Sequence, residues 1–473
     1  MKKITFLFLI SLILGTVLYA QQEKKDFTSY WEGKLNVSGV SLRLVLKTFN
    51  NEDGSLGAFL DSPDQTAENI PVSKIEITVD SIKFEVASVL GKYYGKIKTD
   101  SLVCDGTWQQ GPLSLPLCLK KVEKLTEPPK RPQTPKGPFP YNEEEVTFPN
   151  KTANIELAGT LTYPKGDGKF PAVVMVTGSG AQDRDETIFK HKPFFVIADY
   201  LTKNGIAVLR FDDRGFGKSK GNFVSATSID FTTDAVSAVE FLSLRKEIDK
   251  TKIGIIGHSE GGLIAPIAAS SSNDIAFIVL LAGPGMKGSD LLVLQTELIL
   301  NAEGTPKEKL AEVVKQNKTA YEIVVNSSDS ITAFKELEKL FEARVSLLPE
   351  EEKSKPEYSK AAFETTARTL LSPWFRFFLK FDPKPYLENL QIPVLALNGE
   401  KDLQVPPKEN LGLIEEALKS AGNKNYKIVE LPELNHLFQT SDTGAPREYG
   451  EIEETFSPKV LQIIGAWIKE ITK

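Results

Sequence analysis

Hydrophobic and polar residues alternate with a period of two from about residue 27 to residue 123. This pattern is typical of β-strands that bury one face, and turn-forming segments such as Asn51-Glu52-Asp53-Gly54 separate the runs. Short strands at this spacing predict an antiparallel meander that closes as a small barrel or sandwich. The predicted strands cover residues 31–37, 41–49, 55–60, 75–79, 82–87, 93–97, 102–108 and 113–120. We expect Trp31, Tyr93 and Trp108 to lie in the core of this domain rather than to form a ligand-binding surface.

A proline-rich segment, residues 126–140, follows this β-domain. Proline has no amide hydrogen to donate, so this density of proline is incompatible with a helix or a central strand. The segment is therefore predicted to be an extended and fairly stiff spacer. It divides the chain into a β-domain of residues 21–125 and a second domain of residues 141–473.

Strand-like runs alternate with longer helical patterns from residue 143 onward, which predicts βαβ units and a mostly parallel sheet. Two segments, 145–148 and 155–163, are predicted to form an opening antiparallel pair. Six further predicted strands cover residues 172–176, 206–211, 253–256, 275–281, 394–397 and 426–431. Helical patterns cover residues 194–204, 229–244, 262–269, 408–420 and 458–471. This domain is therefore predicted to hold an eight-stranded sheet flanked by helices.

Residues 288 to about 381 interrupt the alternation with charged, mostly amphipathic helical sequence. The segment ends in a dense aromatic run between Trp374 and Phe381. We predict an inserted helical cap. Two roles for its aromatic residues stay open: lining an acyl pocket, or packing against the main domain.

The first twenty residues have the pattern of a signal peptide. Lys2 and Lys3 precede an apolar run over residues 4–18, and Ala20 supplies a small residue at a cleavage point. The run is short for a membrane span, so we expect cleavage after residue 20, export to the periplasm or beyond, and no stable membrane span afterwards. An uncleaved anchor is the alternative.

Charge and cysteine content narrow the range of partners. The net charge of −6 implies no large basic face, so nucleic acid is not an expected partner.

The two cysteines, Cys104 and Cys118, lie on either side of a predicted turn centred on Gly111, which would place them opposite each other. A disulfide and two buried free thiols both stay open. Neither cysteine has the neighbouring ligands of a zinc site, and no metal is predicted.

The candidate catalytic motif is the pentapeptide Gly257-His258-Ser259-Glu260-Gly261, which lies between a predicted strand and a predicted helix. In that context Gly-x-Ser-x-Gly is typical of a nucleophile elbow, which exposes the serine hydroxyl at the carboxyl edge of a sheet. The turn forces Ser259 into a strained conformation. Gly257 and Gly261 are needed because a Cβ there would collide with the adjoining elements. The alternative is a glycine-rich turn with a solvent-facing serine.

A serine nucleophile needs a base, and the chain has three histidines. His436 follows the last predicted strand, where the base of a Ser-acid-His order belongs. His191 lies in an early loop. His258 cannot turn back onto its neighbour, so we expect it to pack or to hydrogen-bond.

The base in turn needs a carboxylate to fix its tautomer. Asp402 follows a buried strand and precedes His436 by 34 residues. Glu400 and Asp382 are the competing carboxylates. Ser259, His436 and Asp402 are therefore the predicted catalytic triad.

Acyl transfer also needs hydrogen-bond donors for the tetrahedral oxyanion. We predict the backbone N–H of Glu260 as one donor. The other is predicted to be the N–H of Ser179, with Gly178 and Gly180 as close alternatives in the loop after the strand that ends at Val176. A plain glycine-rich turn is the competing interpretation of this loop.

From about residue 143 to its end, the chain resembles exported bacterial α/β-hydrolases of the group similar to serine aminopeptidases and dienelactone-hydrolase-like esterases. The resemblance rests on Gly257-His258-Ser259-Glu260-Gly261-Gly262, on Asp213-Arg214-Gly215-Phe216-Gly217-Lys218-Ser219, and on the Asp402 and His436 loops. It implies an α/β-hydrolase fold with a cap, in which the Asp213–Ser219 run is a structural turn. Many relatives have His-Gly in the oxyanion loop, where this chain has Thr177-Gly178. The β-domain lies outside the resemblance.

These observations predict a serine hydrolase that cleaves small carboxylic esters through an acyl-enzyme intermediate, without a cofactor or metal. A serine peptidase or amidase acting on short peptides is the alternative, with Glu342 or Arg344 as a candidate anchor for a peptide terminus. The third hypothesis is a non-catalytic protein whose β-domain recognises a glycan or surface partner. A homodimer is left open.

Overall fold

The computed structural model describes residues 28–37, 40–65, 67–98, 102–111, 113–127 and 129–473. The predicted signal peptide of residues 1–20 lies outside these described residues. The described chain forms two sheets, one before and one after the proline-rich segment. No helix among the described residues is long and apolar enough to cross a membrane.

The first sheet has nine antiparallel strands in the order β4-β3-β2-β1-β9-β8-β7-β6-β5. The strands are β1 (Ser29–Val37), β2 (Val40–Asn50), β3 (Leu56–Ser62), β4 (Ala67–Pro71), β5 (Lys74–Ile77), β6 (Ser81–Val86), β7 (Gly91–Lys98), β8 (Val103–Gln110) and β9 (Leu113–Val122). Pairing of β1 with β9 joins its two halves into one nine-stranded half-barrel. Trp31, Tyr93 and Trp108 are buried, as expected for core aromatics.

The β8–β9 hairpin corrects the predicted placement of the cysteines. Its connection is two residues long, which pairs Cys104 with Leu119 and Asp105 with Cys118. A shift of one residue moves a side chain to the other face of a sheet, so the two cysteines point to opposite faces. Cys104 is buried, Cys118 is exposed, and both are free thiols. The expectation of two buried thiols therefore holds for Cys104 alone.

The proline-rich segment is anchored to the second domain by two side chains. Arg131 donates hydrogen bonds to the backbone carbonyls of Phe189, Gly450 and Ile452, at 2.7–3.1 Å. Gln133 exchanges hydrogen bonds with the backbone of Phe456 at 2.7 and 3.1 Å. The segment is thus a docked strap as well as a connection.

The second sheet has eight strands in the order β10-β11-β13-β12-β14-β15-β16-β17. They are β10 (Asn142–Asn150), β11 (Ile155–Tyr163), β12 (Phe170–Val176), β13 (Ala207–Phe211), β14 (Ile248–His258), β15 (Phe277–Leu281), β16 (Val394–Gly399) and β17 (Tyr426–Leu431). The first two are antiparallel to their neighbours, and β13, β12, β14, β15, β16 and β17 run parallel. The predicted eight-stranded, mostly parallel sheet is confirmed.

Helices cover both faces of this sheet because its inner strands are apolar on both sides. Every residue of β15 is buried, for example. The covering helices are α1 (Pro193–Lys203), α2 (Ser228–Ser243), α3 (Glu260–Ser271), α11 (Pro407–Ser420) and α12 (Pro458–Ile471). Helices α1 and α12 contribute to one hydrophobic core, and α2, α3 and α11 to the other.

Seven helices lie between β15 and β16, where the cap was predicted. They are α4 (Gly288–Ala302), α5 (Lys307–Asn326), α6 (Ser330–Ser346), α7 (Glu350–Lys353), α8 (Lys360–Leu370), α9 (Pro373–Lys380) and α10 (Lys384–Leu387). The cap has a small core of its own, which includes Val324, Leu337 and Leu379. Phe378 and Phe381 are buried in the core of the main domain, so these two aromatic residues pack rather than line a pocket.

Candidate active site

Ser259 lies at the junction of β14 and α3 with φ 51° and ψ −114°. A non-glycine residue rarely adopts a positive φ, and such strain persists only where the surroundings impose it. A Cβ on Gly257 would lie 2.0 Å from the carbonyl oxygen of Gly261, and one on Gly261 would lie 2.1 Å from that of Val176. The structure thus has the geometry expected of a nucleophile elbow.

Asp402 and His436 come together at the same edge of the sheet. Oδ2 of Asp402 lies 2.8 Å from Nδ1 of His436, and both side chains are buried. The other carboxylate oxygen accepts the backbone N–H groups of Gln404 and Val405, each at 2.8 Å. One oxygen of Asp402 thus accepts two backbone N–H groups, and the other accepts the N–H of His436 Nδ1. Since Nδ1 carries the proton, Nε2 is left free to act as a base.

Neither competing carboxylate contacts His436 among the described residues. Glu400 accepts the backbone N–H of Glu433 at 3.0 Å, and Asp382 lies 3.6 Å from Nζ of Lys287. The structure therefore favours Asp402 as the partner of His436.

The hydroxyl of Ser259 is half-buried and forms no hydrogen bond with any part of the chain that the structure describes. The elbow nevertheless touches both neighbouring loops. The ring of His258 lies 4.9 Å, centroid to centroid, from the ring of His436. A Cβ on Gly178 would lie 3.2 Å from Cβ of Ser259. Hydrogen bonds of a catalytic serine are often long before substrate binds, so this arrangement is compatible with a serine nucleophile.

Two predicted oxyanion donors are unengaged within the described ranges: the backbone N–H groups of Ser179 and Glu260. The alternative donor, the N–H of Gly178, is already bound to Oε1 of Glu186 at 2.8 Å. Glu260 is the first residue of α3, where N–H groups lack helical partners and the helix dipole favours negative charge. The available donors are therefore those of Ser179, Gly180 and Glu260.

Asp213 fixes the oxyanion loop from the other side. Its carboxylate accepts the hydroxyl of Thr177 at 2.8 Å and the backbone N–H of Gln182 at 2.9 Å. Burial raises the pKa of Asp213 to about 8, and the nearby Glu260 and Glu186 carboxylates add to this rise. The first residue of the Asp213–Ser219 run thus has a structural role toward the loop that contains Thr177 and Gly178.

The side chain of Glu260 connects the elbow to the cap. Its Oε1 accepts hydrogen bonds from the Ser228 hydroxyl at 2.6 Å and from the indole N–H of Trp374 at 2.8 Å. Burial raises the pKa of Glu260. Trp374 therefore contacts the nucleophile elbow, a role that the aromatic run alone could not assign.

Glu186 was not predicted as a site residue, and it lies in the long loop between β12 and α1. Oε1 of Glu186 lies 2.9 Å from Nδ1 of His258, and Nε2 of His258 lies 3.0 Å from the carbonyl oxygen of His436. His258 thus forms hydrogen bonds, as expected for it. His191 is also buried and contacts Thr455, away from the elbow.

A polar cleft of about 700 Å³ lies between the β-domain, the cap and the loop after His436. Its lining residues are Asn36, Gln295, Thr296, Ile299, Leu300, Glu303, Val313, Asn317 and Arg447. Gln295 donates to Oε1 of Gln404 at 3.3 Å, and Gln404 is bound to Asp402 through its backbone. The β-domain therefore reaches the edge of the sheet that carries the site.

Within the described ranges, no three histidine, cysteine or acidic side chains cluster as a metal site would require.

Comparison with known proteins gives a consistent picture. A family model described as serine aminopeptidase, S33, matches residues 192–346, which include the elbow. The esterase EstD of Thermotoga maritima is 28% identical over 335 residues, which cover 70% of this chain and 68% of that protein. The uncharacterised protein PA2218 of Pseudomonas aeruginosa is 31% identical over 138 residues, which cover 28% of this chain and 35% of that protein.

Solved structures align with most of the chain at low identity. The Pyrococcus furiosus esterase Pf2001 has 16% identity and a TM-score of 0.43, and the alignment covers 74% of this chain and 100% of that one. The structure of PA2218 has 17% identity and a TM-score of 0.42, and the alignment covers 73% and 98%. The sequence relatives and the sheet topology together confirm the predicted resemblance.

Proposed function

We propose that this chain, which has an α/β-hydrolase fold preceded by an all-β domain, is a serine hydrolase that cleaves carboxylic esters through an acyl-enzyme. The observation that supports this most is the buried pair of Asp402 and His436 at 2.8 Å, beside an elbow with Ser259 at φ 51°. An oriented histidine next to a strained, half-buried serine is the arrangement that nucleophilic acyl transfer requires.

In the proposed mechanism, Oγ of Ser259 attacks the ester carbonyl while Nε2 of His436 takes the hydroxyl proton. Asp402 holds the resulting imidazolium. The carbonyl oxygen becomes an oxyanion that accepts the backbone N–H groups of Ser179 and Glu260. The intermediate collapses, the alkoxide leaves with the proton from His436, and Ser259 remains acylated. Water then attacks the acyl-enzyme and gives a proton to His436. The acid is released as Oγ of Ser259 leaves and takes that proton back from His436.

A serine peptidase or amidase is the second candidate, and the description of the matched family model favours it. The same triad would protonate an amine in place of an alcohol. Of the candidate anchors for a peptide terminus, Glu342 is exposed on α6, and Arg344 stacks over Tyr358 at 5.4 Å within the cap. Neither residue contacts the triad among the described residues, so the ester reaction is our first choice.

The test compares a chain-length series of p-nitrophenyl esters with aminoacyl and peptidyl anilides, using the wild type and Ser259→Ala. We expect ester turnover that falls at least about 10³-fold in the alanine variant, because the nucleophile is lost. The chain-length series then measures the acyl pocket.

Turnover of anilides alone would replace the esterase assignment with the peptidase one. If neither substrate reacts, a fluorophosphonate probe is applied to both proteins. Failure to label Ser259 would contradict a working nucleophile and would support a non-catalytic binding protein.

A further inference from the structure

We propose that Glu186 and His258 form a charged pair that positions the oxyanion loop and the His436 loop against the nucleophile elbow. The proposal rests on the proposed serine-hydrolase function, since it assigns a role toward that reaction. Glu186 and His258 are positioning residues, because the groups that act on the substrate are Ser259, His436 and the two backbone donors.

The contacts form a continuous chain across three loops. The backbone N–H of Gly178 donates to Oε1 of Glu186 at 2.8 Å, and the same oxygen lies 2.9 Å from Nδ1 of His258. Nε2 of His258 lies 3.0 Å from the carbonyl oxygen of His436. Glu186 and His258 are 4% and 6% exposed, so water does not compete for these contacts. One buried pair thus joins segments that follow β12, β14 and β17.

The hydrogen-bond partners determine where the protons of His258 lie. A carbonyl oxygen only accepts, so Nε2 of His258 carries a proton for the carbonyl of His436. Oε1 of Glu186 accepts from Gly178, and as a carboxylate oxygen it also accepts from Nδ1 of His258. With both ring nitrogens donating, the imidazole is a cation and Glu186 is its counter-charge. A buried charge is tolerated when it is paired and hydrogen-bonded in this way.

Electrostatic surroundings favour the same protonation state. Burial alone would lower the pKa of His258, but the Glu186 carboxylate, its hydrogen bond and the carbonyl of His436 raise it on balance. Asp402 faces His258 from the loop after β16 and raises the pKa further. Asp213 is close enough to Glu186 for their carboxylates to interact.

Each contact has a consequence for the reaction. By binding the N–H of Gly178, Glu186 fixes that peptide plane and leaves the next N–H, of Ser179, without an acceptor in the described chain. By binding the carbonyl of His436, His258 fixes the backbone of the general base. Since both nitrogens of His258 are occupied, it is not available as a base for Ser259.

Displacing reacting groups by about 1 Å costs on the order of 10²-fold in rate. We therefore expect Glu186→Gln, which keeps the shape and removes the charge, to lower kcat about 10- to 100-fold with KM changed less than about threefold. The rate of fluorophosphonate labelling of Ser259 should fall in parallel. Glu186→Asp, which keeps the charge, should recover part of the loss. The matched control is Asp61→Asn, which removes the charge of a buried carboxylate that pairs with Lys47 at 2.8 Å in the β-domain, outside this chain of contacts.

The charge state has its own measurement, which needs no substrate. The protein has three histidines, so ¹⁵N-histidine NMR distinguishes them with the help of two assignment variants, His191→Gln and His258→Gln. We expect His258 to be protonated on both nitrogens at pH 7 in the wild type, and on one nitrogen in Glu186→Gln.

Four results would overturn the proposal. A His258 that is neutral in the wild type at pH 7 would remove the charged pair. A Glu186→Gln variant with kcat within about threefold of wild type would show that the pair only stabilises the fold. An equal loss of kcat in Asp61→Asn would show a general effect of removing buried charge. A wild type that neither turns over substrate nor labels at Ser259 refutes the serine-hydrolase function and the positioning role with it, while NMR still decides whether the pair is charged.

Discussion

The two sheets of this protein are built from opposite kinds of connection. In the first sheet most neighbours in space are neighbours in sequence, and β1 with β9 is the long-range pair that joins its two halves. In the second sheet the order β11-β13-β12-β14 requires helical crossovers, and β15 pairs with β16 across the whole cap. Local hairpins bury one face of a sheet, whereas crossovers bury both and align the carboxyl ends of parallel strands.

This difference explains where the chemistry lies. Ser259, Asp402 and His436 follow β14, β16 and β17, which end at one edge of the second sheet. The first sheet has no comparable edge, because neighbouring antiparallel strands end at opposite edges. It contributes to the site from outside, through Asn36 at the cleft and Leu42 against the cluster that contains Leu437. We therefore expect changes to the second sheet's edge to affect rate, and changes to the first sheet to affect stability.

The largest expected effect is that of Asp402→Asn. The amide can still accept the backbone N–H groups of Gln404 and Val405, but it cannot hold the imidazolium of His436. We expect kcat/KM to fall about 10³- to 10⁴-fold with little change in melting temperature. Steady-state ester hydrolysis and thermal unfolding measure the two quantities.

The control for this prediction is Trp108→Ala in the first sheet. Trp108 is 3% exposed, so truncation should cost about 3–5 kcal/mol of unfolding free energy and leave kcat per folded molecule within about twofold. A large loss of kcat from Trp108→Ala would contradict the division of roles between the sheets.

The strap between the domains sharpens the comparison. Arg131→Ala removes hydrogen bonds from a cation to three backbone carbonyls. We expect the second domain to lose about 2 kcal/mol of stability. Lys130→Ala removes the same charge from an exposed neighbour and should change stability by less than about 0.5 kcal/mol. Chemical denaturation followed by tryptophan fluorescence gives both values, and equal effects would show that the strap contributes nothing.

The smallest expected effect concerns the thiols. Because Cys104 and Cys118 point to opposite faces of the β8–β9 hairpin, no disulfide joins them, and a reductant should leave the melting temperature unchanged. A thiol reagent should react with Cys118 in the native protein and with both cysteines in denaturant. A melting temperature that falls on reduction would instead reveal a bridge and a different register.

The sequence was most informative where function depends on strand ends. Ser259, Asp402 and His436 each follow an apolar run that ends in a loop, and the structure places them at one edge. Glu186 follows no strand directly, and its contact with His258 spans 72 residues, so no local pattern could reveal it.

Small differences in the length of a connection could not be predicted from the sequence either. The face on which Cys118 lies depends on whether the hairpin is centred on one residue or between two residues. The alternation of apolar and polar residues does not determine this. The contacts of Arg131 were equally hidden, because proline content describes the backbone of a segment and not what its side chains bind.

The strap has a consequence for the order in which the molecule is completed. Arg131 binds the carbonyl of Ile452, 321 residues further along the chain. During synthesis the β-sheet can form from residues that emerge together, before the elbow has been made. The strap, by contrast, cannot dock until almost the entire polypeptide has left the ribosome. Its hydrogen bonds are therefore among the last to form. The first domain can fold before the second domain is complete.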